Sequence, residues 1–231
     1  VCLSNVNRQL PALDGAIGRF KAEVLAERIL AINPECHVRP VIEFFTETSA
    51  DRLLSPDYDV VVDAIDALSN KCRLILGCRE RAIPILVCGA AGGRRDPTRV
   101  RLTDLADASH DRLLAEVRRR LRRDHAFPGP GRKLGVPCVF SLESVAAPTR
   151  NSGACSIVGG GADAGIDAEL EVGVEMAGTK AGPRGLNCEG GLGSAAFVTG
   201  AFGFVAASWA VDTILSPQNR DPGSPPGACP G

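Results

Sequence analysis

DYDVVVDAIDALSNKCRLILGCRERAIPILVCGAA, residues 57–91, is the stretch that decides the fold. Residues 57–66 form a short apolar run bounded by aspartates, as a parallel strand buried on both faces requires. Residues 68–82 read as a helix, and 83–91 as a second buried strand. Strand, crossover helix and strand within about 30 residues make a βαβ unit, whose crossover is right-handed. Asp63 and Asp66 stand at the carboxyl end of the first strand, where open α/β sheets bind their ligands. The predicted fold class is therefore α/β, with a Rossmann-like, mostly parallel sheet.

Upstream, residues 18–32 carry Phe20, Val24, Leu25, Ile29 and Ile32 at helical spacing. Asn33-Pro34 ends that helix, because the residue before a proline is pushed out of helical space. Residues 38–45, VRPVIEFF, read as a strand, and 49–54 as a short helix. Downstream, 98–105 alternates like an antiparallel or edge strand, and 111–125 is a basic helix. Residues 134–144 are a strand whose internal proline places it at an edge or a bulge. Residues 144–187 are a long irregular loop rich in Gly and Ala. Residues 188–216 return to the same domain with an apolar helix over 194–215, and 217–231 form a tail that is disordered by composition.

The chain of 231 residues has 45% hydrophobic and 23% charged residues and a net charge of -1, so nucleic-acid contact requires a local patch. Nine cysteines without a single CxxC pair exclude a tetrathiolate zinc site. Cys72, Cys78 and Cys88 lie in apolar runs and behave as small hydrophobes in a reduced, intracellular protein. His37, His110 and His125 show no ligand spacing; His125 suits the end of the basic helix. GAAGG (89–93) and GGGADAG (159–165) lack the strand–turn–helix setting of a phosphate-binding loop.

Three groups of residues point to chemistry. Asp66 either holds Mg²⁺ against phosphates or caps the helix that follows. Arg8 and Lys21 supply a planar fork and a point charge, the two cation types that bind phosphate oxygens. On the basic helix, Leu113, Val117 and Leu121 share one side, and Arg118, Arg119, Arg122 and Arg123 the other. Glu116 is the one carboxylate between Arg112 and Arg123, so this face suits RNA phosphates, or else a solvated surface. Cys138 reads as structural. Cys188, ahead of the last helix, is the candidate thiol. The uncharged run 194–211 suits a buried helix, a dimer contact or membrane association.

SNVNRQLPALDGAIGRFKAEVLAERILAINP, residues 4–34, resembles the ThiF-type adenylating enzymes, relatives of the ubiquitin-activating enzymes. In that family an S/T-N-x-x-R-Q turn is followed by a Lys thirteen residues after the Arg and by an Asp ending a later strand. Ser4, Asn5, Arg8, Gln9, Lys21 and Asp66 match these positions. The resemblance implies that Arg8 and Lys21 hold ATP phosphates, that Ser4, Asn5 and Gln9 help place the nucleotide, and that Asp66 binds Mg²⁺. DPTRVRLTDLADASHD, RLRRDH, KLGVPCVFSLE and NCEGGLGSAAFVTGAFGFVA look like the tRNA threonylcarbamoyladenosine dehydratase (TcdA or CsdL) branch of the family.

That branch implies ATP-dependent cyclisation of a modified tRNA adenosine through an acyl-adenylate. It also implies a homodimer, with a sulfur-carrier or cysteine desulfurase system as a further partner, in the cytoplasm or a mitochondrion. Residues 1–143 would be the adenylating domain. The family opens with a strand, a Gly-rich turn and a helix, which this sequence does not contain. An N-terminally truncated enzyme is therefore expected, with an inactive paralogue as one alternative. The other is an activating enzyme for a ubiquitin-like or sulfur-carrier protein.

Overall fold

The structure, a computed structural model, describes Val1 and residues 8–55, 57–145 and 193–216. The chain divides into one unit formed by 1–145 and 194–231 and a second formed by 146–193. The expected irregular loop (from residue 146), Ser4, Asn5, Cys188 and the tail 217–231 lie outside the described residues.

The βαβ reading holds. Strand β1 (Val61–Asp63) leads into helix α3 (Leu68–Glu80) and then β2 (Ile85–Cys88), which pairs parallel to β1. Helix α1 is Lys21–Ile32 and α2 is Ala50–Leu53. A 3-10 turn at Pro97–Arg99 precedes β3 (Val100–Asp104), α4 (Arg112–Asp124), β4 (Pro137–Ser141) and α5 (Ala196–Leu215). The sheet order is β1-β2-β4-β3, with β4 parallel to β2 and β3 antiparallel to β4.

Alternation in the strands assigns the layers. Ile85, Val87, Cys138 and Phe140 face a core shared with Cys72, Ile75 and Cys78 of α3 and Leu114, Val117 and Leu121 of α4. Leu86, Val100 and Val139 face the other way, against Val198, Phe202 and Ala206 of α5. Each of the Val, Leu, Ile and Phe side chains contributes ~1.5–3 kcal/mol by leaving water.

Three expectations need correction. Residues 38–45 form no strand. A strand needs a ladder partner; β1 pairs only with β2 among the described residues, Pro40 lacks a donor, and Phe44 is 85% exposed. The strand with the proline is central, between β2 and β3, and not at an edge. It tolerates Pro137 because proline is its first residue, where no ladder donor is lost. The apolar stripe of α1 is mostly exposed, with Val24 the one buried position of the five predicted.

Asp104 closes the end of the sheet opposite the ligand end. Its Oδ1 accepts from the N–H groups of Ala106 (2.8 Å) and Leu134 (2.9 Å), and its Oδ2 from those of Gly135 (2.7 Å) and Val136 (3.2 Å). Burial raises its pKa, but these four donors outweigh burial and hold the carboxyl below the usual carboxylate range. Asp104→Asn turns an acceptor into a donor facing donors, and is expected to cost ~1.5–3 kcal/mol. That is a fall of roughly 3–12 °C in melting temperature near neutral pH. Because the folded-state pKa is lowered, this stabilisation is complete above the ordinary carboxylate pKa and is lost as pH falls through the depressed value. Thermal melts should therefore show the gap between parent and variant shrinking towards about pH 3; an equal gap at both pH values would contradict this account.

Candidate nucleotide site

The carboxyl ends of β1, β2 and β4 form the rim where a ligand of this sheet belongs. Carboxylates fix the loops that leave it. Asp63, the last residue of β1, is 1% exposed and accepts from the Ile65 N–H at 2.8 Å. Its Oδ2 accepts from the Lys71 ammonium at 2.7 Å, and Lys71 also donates to the Cys88 carbonyl at 2.9 Å. Burial pushes the Asp63 carboxyl above its ordinary pKa, against the pull of Lys71.

Beyond β2, the loop 89–96 is held from two sides. Asp111 Oδ2 accepts from the Ala90 N–H (2.8 Å) and from Arg94 (3.3 Å), while its Oδ1 caps α4 through the Leu114 N–H (3.0 Å). A Cβ on Gly89 would lie 2.3 Å from Asp111 Oδ2, so this close approach requires glycine. Glu143, after β4, accepts from the N–H groups of Arg95 (2.8 Å) and Asp96 (2.9 Å), which hold its pKa below the usual range.

Asp66 stands apart from these. It lies in the turn between β1 and α3, is exposed, and enters no hydrogen bond or ion pair among the described residues. The cap reading fails: the N-cap of α3 is Ala67, with no side-chain cap hydrogen bond. Asp63, its predicted neighbour at the strand end, is engaged with Lys71 and offers no metal ligand. No group of three or more metal-ligating side chains occurs among the described residues. A single free carboxylate fits Mg²⁺, which is commonly held by one or two carboxylates while substrate phosphates supply other ligands.

Lys21 is the first residue of α1, exposed, and likewise unengaged within the described residues. A cation there opposes the helix dipole, at a cost of a few tenths to ~1 kcal/mol. Phe20 provides no side-chain cap, so the first-turn N–H groups and Lys21 together favour an anion. Arg8 is half-buried, and its carbonyl accepts from Thr199 Oγ1 of α5 at 3.3 Å; Gln9 follows it, half-buried. No hydrogen bond or ion pair is described that joins Arg8, Lys21 and Asp66 to one another. Sequence reading missed Lys71 and Arg94, two nearly inaccessible cations. A charge three residues into a helix or in a Gly-rich loop reads as surface until the fold is known.

On α4 Val117 and Leu121 are buried as expected, together with Leu114, while Leu113 is half-buried. The arginines divide. Arg118 donates to the carbonyls of Leu105 (3.0 Å) and Ala108 (2.8 Å), and Arg122 to that of Pro128 (2.9 Å). Arg119 pairs with Glu116 and Arg123 with Asp124, so the expectation of a face without balancing acids is not met. The four still line an open cleft of about 570 Å³ with Ala115, Phe127 and Pro130. Cys138 is fully buried and its thiol is pushed up to about 12 by burial, which suits its structural reading.

The ThiF family model matches residues 1–224. The chain belongs to the ThiF family. Within this family it is 39% identical, over 95% of its length and 75% of the relative's, to the tRNA threonylcarbamoyladenosine dehydratase of Escherichia coli. The enzyme of the same name from Haemophilus influenzae is 36% identical over 95% of this chain and 74% of its own. The E. coli enzyme TcdA in complex with ATP superposes with a TM-score of 0.72 at 37% identity, over 93% of this chain and 72% of that one. The ThiF fold thus accounts for the parallel sheet and its rim.

If Asp66 is no part of the fold's support, Asp66→Asn should leave thermal stability within ~0.5 kcal/mol of the parent. A larger loss in a melt of the purified protein would show that its carboxylate holds structure.

Proposed function

We propose that this protein carries out the ATP-dependent dehydration of threonylcarbamoyladenosine in tRNA. The similarity to enzymes of that name along 95% of the chain carries the reading. The carboxylate of the modified nucleoside attacks the α-phosphorus of ATP and pyrophosphate leaves. An internal group of the same nucleotide then attacks the acyl carbon, and AMP leaves with the carboxylate oxygen. Net loss of water closes the ring.

Such a reaction asks the protein for charge neutralisation and alignment more than for covalent help. Arg8 and Lys21 supply cations for the phosphates, and Gln9, with Ser4 and Asn5, positions the nucleotide. Asp66 is the residue that holds Mg²⁺, which when bound offsets phosphate charge. A tRNA substrate places the protein inside the cell. A homodimer belongs to this reading: α5 leaves Phe197, Phe204 and Val211 exposed outside its sheet-facing side, a surface suited to a second copy. By length and composition α5 could also cross a membrane, so flotation with vesicles distinguishes the two.

Arg8→Ala and Lys21→Ala in the full-length protein are expected to slow pyrophosphate exchange on modified tRNA by ~10²-fold or more, because each removes a cation from charge that grows in the transition state. Exchange at the parent rate in both variants would take these residues out of the site.

The α4 cleft is the proposed tRNA contact. It lies away from the rim: Arg119 and Arg123 follow Asp111 by 8 and 12 residues, about 12–18 Å along the helix. Arg119→Gln with Arg123→Gln should preserve folding, since both side chains are mostly exposed, at 66% and 63%. Affinity for tRNA should fall, and the log–log salt slope should flatten by about 0.7–0.9 for each phosphate the variant no longer neutralises. ATP binding should not change. Arg118→Gln and Arg122→Gln should instead lower stability, because they release buried carbonyls. Equal tRNA affinity and slope in the Arg119/Arg123 variant would make α4 an ordinary solvated face.

A further inference from the structure

Lys71 is fully buried, in the first turn of α3, far from any surface role a lysine usually has. Its ammonium joins three elements: its own helix, Asp63 at the end of β1, and the Cys88 carbonyl at the end of β2. One neighbour of Asp66 is held by the Asp63 side chain, and the other by the first backbone bond of the helix that carries Lys71. The Ile65 N–H donates to Asp63 Oδ1 at 2.8 Å, and the Ala67 carbonyl accepts from the Lys71 backbone N–H at 2.9 Å. The turn carrying Asp66 is therefore pinned on either side while Asp66 itself stays free.

A buried ion pair is a poor way to gain stability, since an apolar pair of the same volume often does as well. It does impose geometry, because both charges must be satisfied in one arrangement. We propose that Lys71 and Asp63 are positioning residues: as a buried ion pair they fix the 64–67 turn and so hold the Asp66 carboxylate where it meets the metal and the phosphates. This rests on the assignment of Asp66 as the metal-holding residue.

The test uses the full-length protein and compares Lys71→Met, Asp66→Asn and the two combined. ATP affinity is titrated across Mg²⁺ concentrations, and amide hydrogen exchange is followed at residues 64–67. Lys71→Met should leave metal-free ATP affinity near the parent value and raise the Mg²⁺ requirement ~10–100-fold, the usual effect of removing a group that orients a metal ligand. The Ile65 amide should lose protection. Asp66→Asn should add little in the Lys71→Met background, because both changes act through the same carboxylate.

A lowered melting temperature with the parent's Mg²⁺ dependence would make the pair purely structural and overturn the proposal. Should Lys71→Met fail to fold, Asp63→Asn with Lys71→Met leaves no charge buried between β1 and α3 and carries the same expectation and the same overturning result. An unchanged Mg²⁺ requirement in Asp66→Asn alone, by contrast, removes the assignment of Asp66, whatever Lys71 does.

Discussion

An ammonium group without access to water is the constraint on which the rim of this sheet depends. Lys71 sits between a carboxylate and a backbone carbonyl that belong to adjacent strands. Removing one partner of such a pair typically costs 3–5 kcal/mol, against a total stability of about 5–15 kcal/mol for a domain. The packing of α3 against β1 and β2 therefore has one arrangement in which Lys71 is satisfied. The apolar layers on either face determine that these elements pack; the ion pair ties α3 to the ends of both strands.

The same logic repeats around the carboxyl rim. Asp63, Asp111 and Glu143 each accept backbone N–H groups from a chain segment leaving a strand, so three acidic side chains are consumed in shaping loops. Asp104 does the same at the other end of the sheet. A rim built by carboxylates with saturated acceptors stays compatible with an anionic ligand, since much of their charge faces amide hydrogens. Asp66 differs from these acids in having no such donors, and Lys21 differs from most cations at helix ends in standing where the dipole disfavours it. Local energetics explain neither residue, and the proposed phosphate site would give both a role.

Much of this was legible in the sequence. Apolar runs bounded by aspartates marked β1 and β2, and the apolar positions of α4 marked its buried side. Arg8, Lys21 and Asp66 were found by spacing and resemblance, which locate a residue without saying what it touches. Three features were not legible. Whether 38–45 forms a strand depends on a ladder partner elsewhere in the chain. Whether Pro137 marks an edge depends on its place in a strand, first or interior. Whether Lys71 is buried depends on a carboxylate eight residues earlier and a carbonyl on the next strand. Each is a tertiary property that composition within a window does not encode.

Helix α4 shows how one element can serve two ends of the molecule. Its first turn is capped by Asp111, the carboxylate that also holds the loop after β2, so it starts at the carboxyl rim of the sheet. Its last turns carry the arginine cleft. A tRNA is far larger than the nucleotide that reacts, and in the proposed reading its backbone rests on the α4 cleft, away from the chemistry. Affinity gained at that distance draws on phosphate charge and leaves the rim free to act on the one modified base. The division among the arginines suits this arrangement. Arg118 and Arg122 hold backbone carbonyls and keep the cleft in shape, while Arg119 and Arg123 reach solvent paired with Glu116 and Asp124. Surface ion pairs of that kind are worth ~0–1 kcal/mol, so at the proposed tRNA contact a phosphate would displace the acids at little cost.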